Sequence, residues 1–202
     1  MCRARPAVIP SDLLLAAYAS GWFPMADEQG TISWYSPDPR GVLPLDTFHV
    51  PARLQRTLRR SPLQVQVDIA FAEVMRACAD AERDSEDSGT WISEEIIASY
   101  CELHALGYAH SIEVRDGDRL VGGLYGVALG GAFFGESMFH TATDASKIAL
   151  VSLIDRLRTR GFTLLDTQWV TPHLQQFGAI EIPRPEYLQR LDASLPLAVK
   201  FV

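Results

Sequence analysis

The chain has 202 residues, of which 48% are apolar and 21% charged, enough for one full core plus a small appendage and too apolar for a disordered chain. Its net charge of -7 excludes a general nucleic-acid coat, because phosphate affinity comes from Lys and Arg displacing counterions, and leaves open a local basic patch. Cys2, Cys78 and Cys101 lack paired spacing, which excludes a disulfide framework and a zinc site and fits a reducing cytoplasm.

Arg3 and Arg5 precede an apolar run at 13–17, but Pro10 and Asp12 interrupt it and it is too short for a secretory signal. A first helix is expected there, capped by Ser11 or Asp12 and ended by Gly21. From Gly21 to Pro44 the chain is dense in prolines and aromatics, including Trp22-Phe23-Pro24 and Trp34-Tyr35-Ser36-Pro37-Asp38-Pro39-Arg40. Prolines at this density forbid a continuous helix and imply an extended connection clamped by buried rings. It marks the border between a small N-terminal domain, 1–38, and the main domain, 39–202.

Pro51 can start a short helix that ends at Arg60, before Pro62. Residues 63–67 alternate as a strand, Asp68 is placed to cap a helix running to about Glu82, and 84–89 form a polar loop. Ser93 caps a second helix to about Leu106, stopped by Gly107. Strands follow at 111–115 and 119–121 around Asp116-Gly117-Asp118, a strong hairpin signal, and at 127–129 and 132–134 around Gly130-Gly131. Together they make an antiparallel meander.

A helix over about 143–160 carries Ile148, Val151, Leu153, Ile154 and Leu157 as its buried stripe, with Gly161 as its cap. A strand at 162–168, a helical turn at 173–176 and a last strand at 180–182 complete the order. The longest uncharged run, 120–135, falls short of the roughly 20 apolar residues of a membrane helix and reads as strands. The fold class is α+β: an acetyltransferase-like (GNAT-type) mixed sheet flanked by helices, with a small N-terminal domain. A CoA donor fits poorly, because Glu136 stands where such folds hold a pyrophosphate.

Two segments carry candidate chemistry. Glu136, in Gly135-Glu136-Ser137-Met138-Phe139, follows an uncharged stretch, so its carboxylate must find a partner or lose its charge. It either bonds backbone amides or holds the polar end of a substrate. Asp166 and Gln168 alternate on one strand face, where an aspartate beside an amide can move a proton for an amine nucleophile or merely anchor a loop. Arg53, Arg56, Arg59 and Arg60 crowd one short helix without an acid, as a phosphate-binding strip or a solvated basic face. The histidines at 104, 110, 140 and 173 form no short metal-binding pair, and no metal is assigned. Gly122, Gly123 and Gly126 fall in strands, where they would let a ligand approach the backbone.

With these segments assembled, the chain resembles the leucyl/phenylalanyl-tRNA-protein transferase family from about Leu13 to Leu191. The resemblance is carried by the Trp34–Arg40 motif, Gly89-Thr90-Trp91-Ile92, the stretches 104–114, 120–127 and 133–139, Ala145-Ser146-Lys147, Asp166-Thr167-Gln168 and 174–184. It implies transfer of Leu or Phe, less readily Met, from aminoacyl-tRNA to a protein beginning with Arg or Lys, marking it for N-end-rule degradation in the cytoplasm. Neither a cofactor, a membrane nor DNA is implied.

The family's proton-relay pair falls on Asp166 and Gln168, and its side-chain pocket on Leu124, Phe133, Glu136, Met138 and Leu165. Trp91 matches an aromatic that helps bind the terminal adenosine, and the arginine helix occupies the basic tRNA-contacting segment. The chain departs from the family pattern in its short stretch before Leu13, in Met25 for Trp at the donor site, in Thr167 for Cys, and in Leu153 for an aromatic near the pocket. A CoA-dependent N-acetyltransferase, a non-catalytic module that binds tRNA ends or basic N-termini, and transfer to a cell-wall precursor or small amine are the rival functions.

Overall fold

The computed structural model describes residues 8–27, 29–81 and 90–202; Glu82 and the expected polar loop at 84–89 lie outside them. In chain order the elements are α1 (Ser11–Ala19), β1 (Phe23–Ala26), β2 (Ile32–Tyr35), β3 (Arg40–Val42), α2 (Ala52–Arg60), β4 (Gln64–Val67), α3 (Phe71–Asp80) and α4 (Glu94–Ala105). They continue with β5 (Ala109–Asp116), β6 (Arg119–Leu129), β7 (Ala132–His140), α5 (Ala145–Arg160), β8 (Leu164–Gln168), α6 (Pro172–Gln175), β9 (Ile180–Ile182) and α7 (Arg184–Ser194).

A seven-stranded sheet runs in the order β4-β5-β6-β7-β8-β3-β9, and β1 and β2 form a separate hairpin. All neighbours in the large sheet are antiparallel except β7 and β8. A parallel pair needs a crossover, and α5 supplies it. Helices cover both faces. One core gathers Leu14 and Tyr18 of α1, Val74 and Met75 of α3, Ile96 and Tyr100 of α4 and Tyr187 of α7 against Tyr125 and Phe134. The other sets Leu54 of α2 and Ile148, Leu153 and Leu157 of α5 against Ile112, Leu124, Phe133 and Leu165.

The meander over β5, β6 and β7 forms as its alternation and Gly-containing turns dictate. Ser93 caps α4 by accepting from Ile96 N–H, an arrangement worth about 1 kcal/mol, and Gly161 ends α5 in the left-handed conformation. Other expectations are corrected. Pro10 stands at the N-cap of α1 without a side-chain cap, leaving Ser11 and Asp12 inside the helix. Asp68 does not cap α3: it accepts from Ser111 N–H at 2.8 Å and from His110 Nδ1 at 2.7 Å.

The supposed extended connection after Gly21 contains the β1–β2 hairpin and β3, and α7 follows the strand expected to be last. The strand glycines do not admit a ligand either. A Cβ on Gly126 would lie 2.2 Å from Phe134 O, and one on Gly122 would lie 2.5 Å from Ala145 Cβ. Their missing side chains serve the approach of the protein's own backbone and helix.

Candidate active site

Strands β7 and β8 pair only from Ala132↔Leu164 to Phe134↔Asp166. Beyond that point β7 stays on β6, while β8 pairs with β3 through Gly41↔Gln168. The fork leaves backbone and side chains of both strands facing one gap, at the carboxyl ends of parallel strands where α/β sheets generally place ligands. A cavity of about 940 Å³ opens there, lined by Glu136, Met138, Leu165, Thr167 and Gln168. The two segments singled out in the sequence therefore meet.

Glu136 faces this gap because it is the extra residue of a β-bulge. Tyr125 pairs with Ser137 and Gly126 with Gly135, which leaves Glu136 without an opposite number. Bulges re-aim a side chain in this way. Glu136 Oε1 accepts from the Tyr18 hydroxyl at 2.8 Å and lies 3.4 Å from Gln168 Nε2. The Tyr18 hydroxyl is also hydrogen-bonded to that of Tyr100. Burial pushes the Glu136 carboxyl up to about 8, against the downward pull of the Tyr18 hydrogen bond. The partners of Glu136 are thus side chains from α1, α4 and β8, where backbone amides had been one expectation.

Asp166 has a different environment. Its Oδ1 accepts from Arg40 Nε at 2.9 Å and from the Gln168 backbone N–H at 2.9 Å; its Oδ2 accepts from Arg40 Nη2 at 2.6 Å and from the Tyr187 hydroxyl at 2.7 Å. Arg40 and Asp166 are both fully buried. Burial lowers the Arg40 pKa, but the hydrogen bonds and charge of Asp166 more than offset this and raise it. Arg40 also donates to Gly21 O at 2.9 Å and packs against the rings of Phe23 and Tyr187.

Asp166 is consequently absent from the cavity lining, and it touches Gln168 through the backbone N–H rather than the side-chain amide. The expectation that both side chains leave one strand face is corrected. Gln168 has a positive φ of 57°, so the strand alternation breaks at that residue and its amide turns toward Glu136.

The remaining expected pocket residues divide by location. Leu124, Met138, Leu153 and Leu165 line the cavity, as do Trp91 and Met25. Phe133 does not: it is fully buried on the α5 side, stacked on Phe201 with ring centroids 5.1 Å apart. The bulge separates its side of β7 from the segment that borders the gap.

Arg53, Arg56, Arg59 and Arg60 are exposed on α2. The α2 helix lies beside the start of α5, where Arg53 and Lys147 together hold the Asp144 carboxyl below its ordinary range, the Lys147 hydrogen bond being the largest influence. His140, Ser146 and His173 line the cavity on that side. Burial and the nearby Lys147 and His140 lower the His173 pKa.

The sequence reading missed Tyr18, Tyr100, Arg40 and Tyr187. Only Arg40, the one basic residue in a proline- and aromatic-rich stretch, left a visible signal. Among the described residues no group of three or more His, Cys, Asp or Glu is arranged to hold a metal, and no helix is long and apolar enough to cross a membrane.

Comparison with known proteins bears on this site as a whole. A family model described as leucyl/phenylalanyl-tRNA protein transferase matches residues 42–192, and a model of that family's N-terminal domain matches 9–38. A leucyl/phenylalanyl-tRNA–protein transferase of Herpetosiphon aurantiacus is 55% identical over 190 residues, covering 94% of this chain and 96% of the relative. One of Paramagnetospirillum magneticum is 56% identical over 189 residues, covering 93% and 90%.

Among solved structures, that of L-PGS from Bacillus licheniformis overlays with a TM-score of 0.41 and 12% identity over 80% of this chain and 50% of that one. That overlay is too loose to bear on the fold. The sequence matches span both the N-terminal helix with its hairpin and the sheet that holds the fork. The chain belongs to the leucyl/phenylalanyl-tRNA protein transferase family.

Proposed function

We propose that this protein transfers leucine or phenylalanine, and less readily methionine, from aminoacyl-tRNA to the N-terminal amine of a protein beginning with Arg or Lys. The product would be marked for N-end-rule degradation in the cytoplasm. The observation that carries the reading is the fork cavity itself: apolar walls from Leu124, Met138, Leu153 and Leu165 close on a polar end made by Glu136 and Gln168. Such a cavity suits an apolar amino-acid side chain with a reacting amine and ester beside it.

An apolar pocket with a flexible Met discriminates among such side chains weakly, since a methylene changes binding by about 1 to 3 kcal/mol. Trp91 and Met25, at the same cavity, would flank the terminal adenosine. The exposed arginines of α2 would engage tRNA phosphates. Gln168 would face the incoming amine, its Nε2 directed to Glu136 and its carbonyl oxygen open to an N–H donor. Asp166, locked by Arg40 and Tyr187, would position Gln168 by holding its backbone N–H.

The donor is an ester, so aminolysis to a peptide bond runs downhill, and holding ester and amine together supplies much of the acceleration. We read the forked sheet as an acetyltransferase-like frame and 1–38 as a small N-terminal domain on the catalytic domain 39–202. Incubation with leucyl-tRNA and an Arg-initiated peptide, beside a parallel incubation with acetyl-CoA, tests the function. Leucine addition supports it. Acetylation, or binding of tRNA and peptide without joining them, would replace it with one of its rivals.

A further inference from the structure

Removing a proton from the attacking amine requires an acceptor with a free lone pair at the cavity. Asp166 fails that test, because its oxygens already take four hydrogen bonds, from Arg40, Tyr187 and the Gln168 backbone, and the side chain is fully buried. Glu136 passes it: the bulge turns it into the cavity, part of its surface stays open, and it borders the Gln168 amide. We propose that Glu136 is the proton acceptor for the attacking amine, with the Tyr18–Tyr100 hydroxyl pair as the positioning group that holds its carboxylate. The inference rests on the aminoacyl-transfer reading above.

The step balances without a further reagent. The acceptor enters as the free amine, and its nitrogen lone pair forms the C–N bond at the ester carbonyl carbon. The proton released from that nitrogen passes to the Glu136 carboxylate. The C–O bond to the ribose then breaks, its electron pair stays on the ribose oxygen, and that oxygen takes the proton back from Glu136. Peptide and deacylated tRNA leave, and Glu136 is ionised again.

The titratable and charged groups that face Glu136 are Tyr18 of α1, Tyr100 of α4, Asp166 of β8 and Arg40 of β3, with Tyr187 of α7 behind them. Asp166 raises and Arg40 lowers its pKa, and because these two are paired their influences oppose each other. Burial is what dominates. The resulting value of about 8 lies near the working pH, where a carboxyl group can both take up and return a proton.

The test is the single-turnover rate with saturating leucyl-tRNA and Arg-initiated peptide between about pH 6 and 9. Glu136→Gln is expected to slow the step by roughly 10²- to 10³-fold with little change in donor or acceptor KM. Tyr18→Phe removes a hydrogen bond that favours the ionised carboxylate, so its rising limb should move to higher pH. Titration of the acceptor amine itself would not move between the two proteins.

A Glu136→Gln rate within about threefold of wild type, far below the loss of a general base, would overturn the proposal. So would a change confined to KM, or a Tyr18→Phe limb that stays in place. Wild-type protein that adds no leucine at all would overturn the aminoacyl-transfer reading and this inference with it. Normal addition by both proteins would overturn this inference alone.

Discussion

Arg40 and Asp166 form a bidentate ion pair, with Nε–Oδ1 at 2.9 Å and Nη2–Oδ2 at 2.6 Å, and neither residue reaches solvent. The pair ties the N-terminal hairpin region to β8, because Arg40 also holds Gly21 O. Arg40→Met leaves a buried carboxylate without its cation, which costs about 3 to 5 kcal/mol. Asp166→Ala strands the guanidinium in the same way. Urea unfolding of both variants checks this, and a loss of that size should accompany any loss of activity. An Asp166 variant as stable as wild type but without turnover would assign Asp166 to the reaction itself.

Glu136 makes the stability of the protein fall with pH. Its carboxyl ionises at an ordinary 4.5 when unfolded and at about 8 when folded. Between those values the folded state keeps a proton that the unfolded state has lost, so stability declines as pH rises and the penalty is complete above the folded pKa. Glu136→Gln removes the penalty. It should stabilise the fold by on the order of 2 to 4 kcal/mol above pH 8 and change little near pH 4.5. Denaturant midpoints at the two ends of that window decide it; a variant destabilised equally at both would mean the carboxylate is held by favourable bonds.

Leu153 lines the cavity and is almost fully buried. Leu153→Phe should shorten the side-chain pocket and lower kcat/KM for a phenylalanyl donor relative to a leucyl donor by about tenfold, the range of a one-to-two-methylene misfit. Competition between the two charged tRNAs in one reaction measures the ratio. An unchanged ratio would place the transferred side chain elsewhere.

Much of the scaffold was legible because its signals are local. The Asp116-Gly117-Asp118 and Gly130-Gly131 turns, the Ser93 cap and the stripe on α5 each lie within a few residues of what they control. Strand β3 was hidden because its alternation is short and its reason for existing is pairing with β8 and β9, more than a hundred residues on. The site failed in the same way. Glu136 and Gln168 stood out by type, but the bulge depends on register with β6, and the partners Tyr18, Tyr100 and Arg40 come from distant segments. Family resemblance supplied the neighbourhood; only the geometry separated the paired Asp166 from the cavity-facing Glu136.

The exposed arginines of α2 carry a prediction about salt. Replacing Arg53, Arg56 and Arg60 by Gln should weaken tRNA binding and reduce the slope of log affinity against log salt by about 2 to 3, near one for each phosphate that is no longer neutralised. Filter binding across a salt series measures it. An unchanged slope would make the strip a solvated face.

Mass spectrometry of an Arg-initiated peptide incubated with this protein and leucyl-tRNA tests the central claim most directly. Peptide heavier by one leucyl residue at its N-terminus, with none added when that amine is acetylated, is the predicted result. Peptide unchanged across salt and pH, while the leucyl-tRNA remains charged, would contradict it.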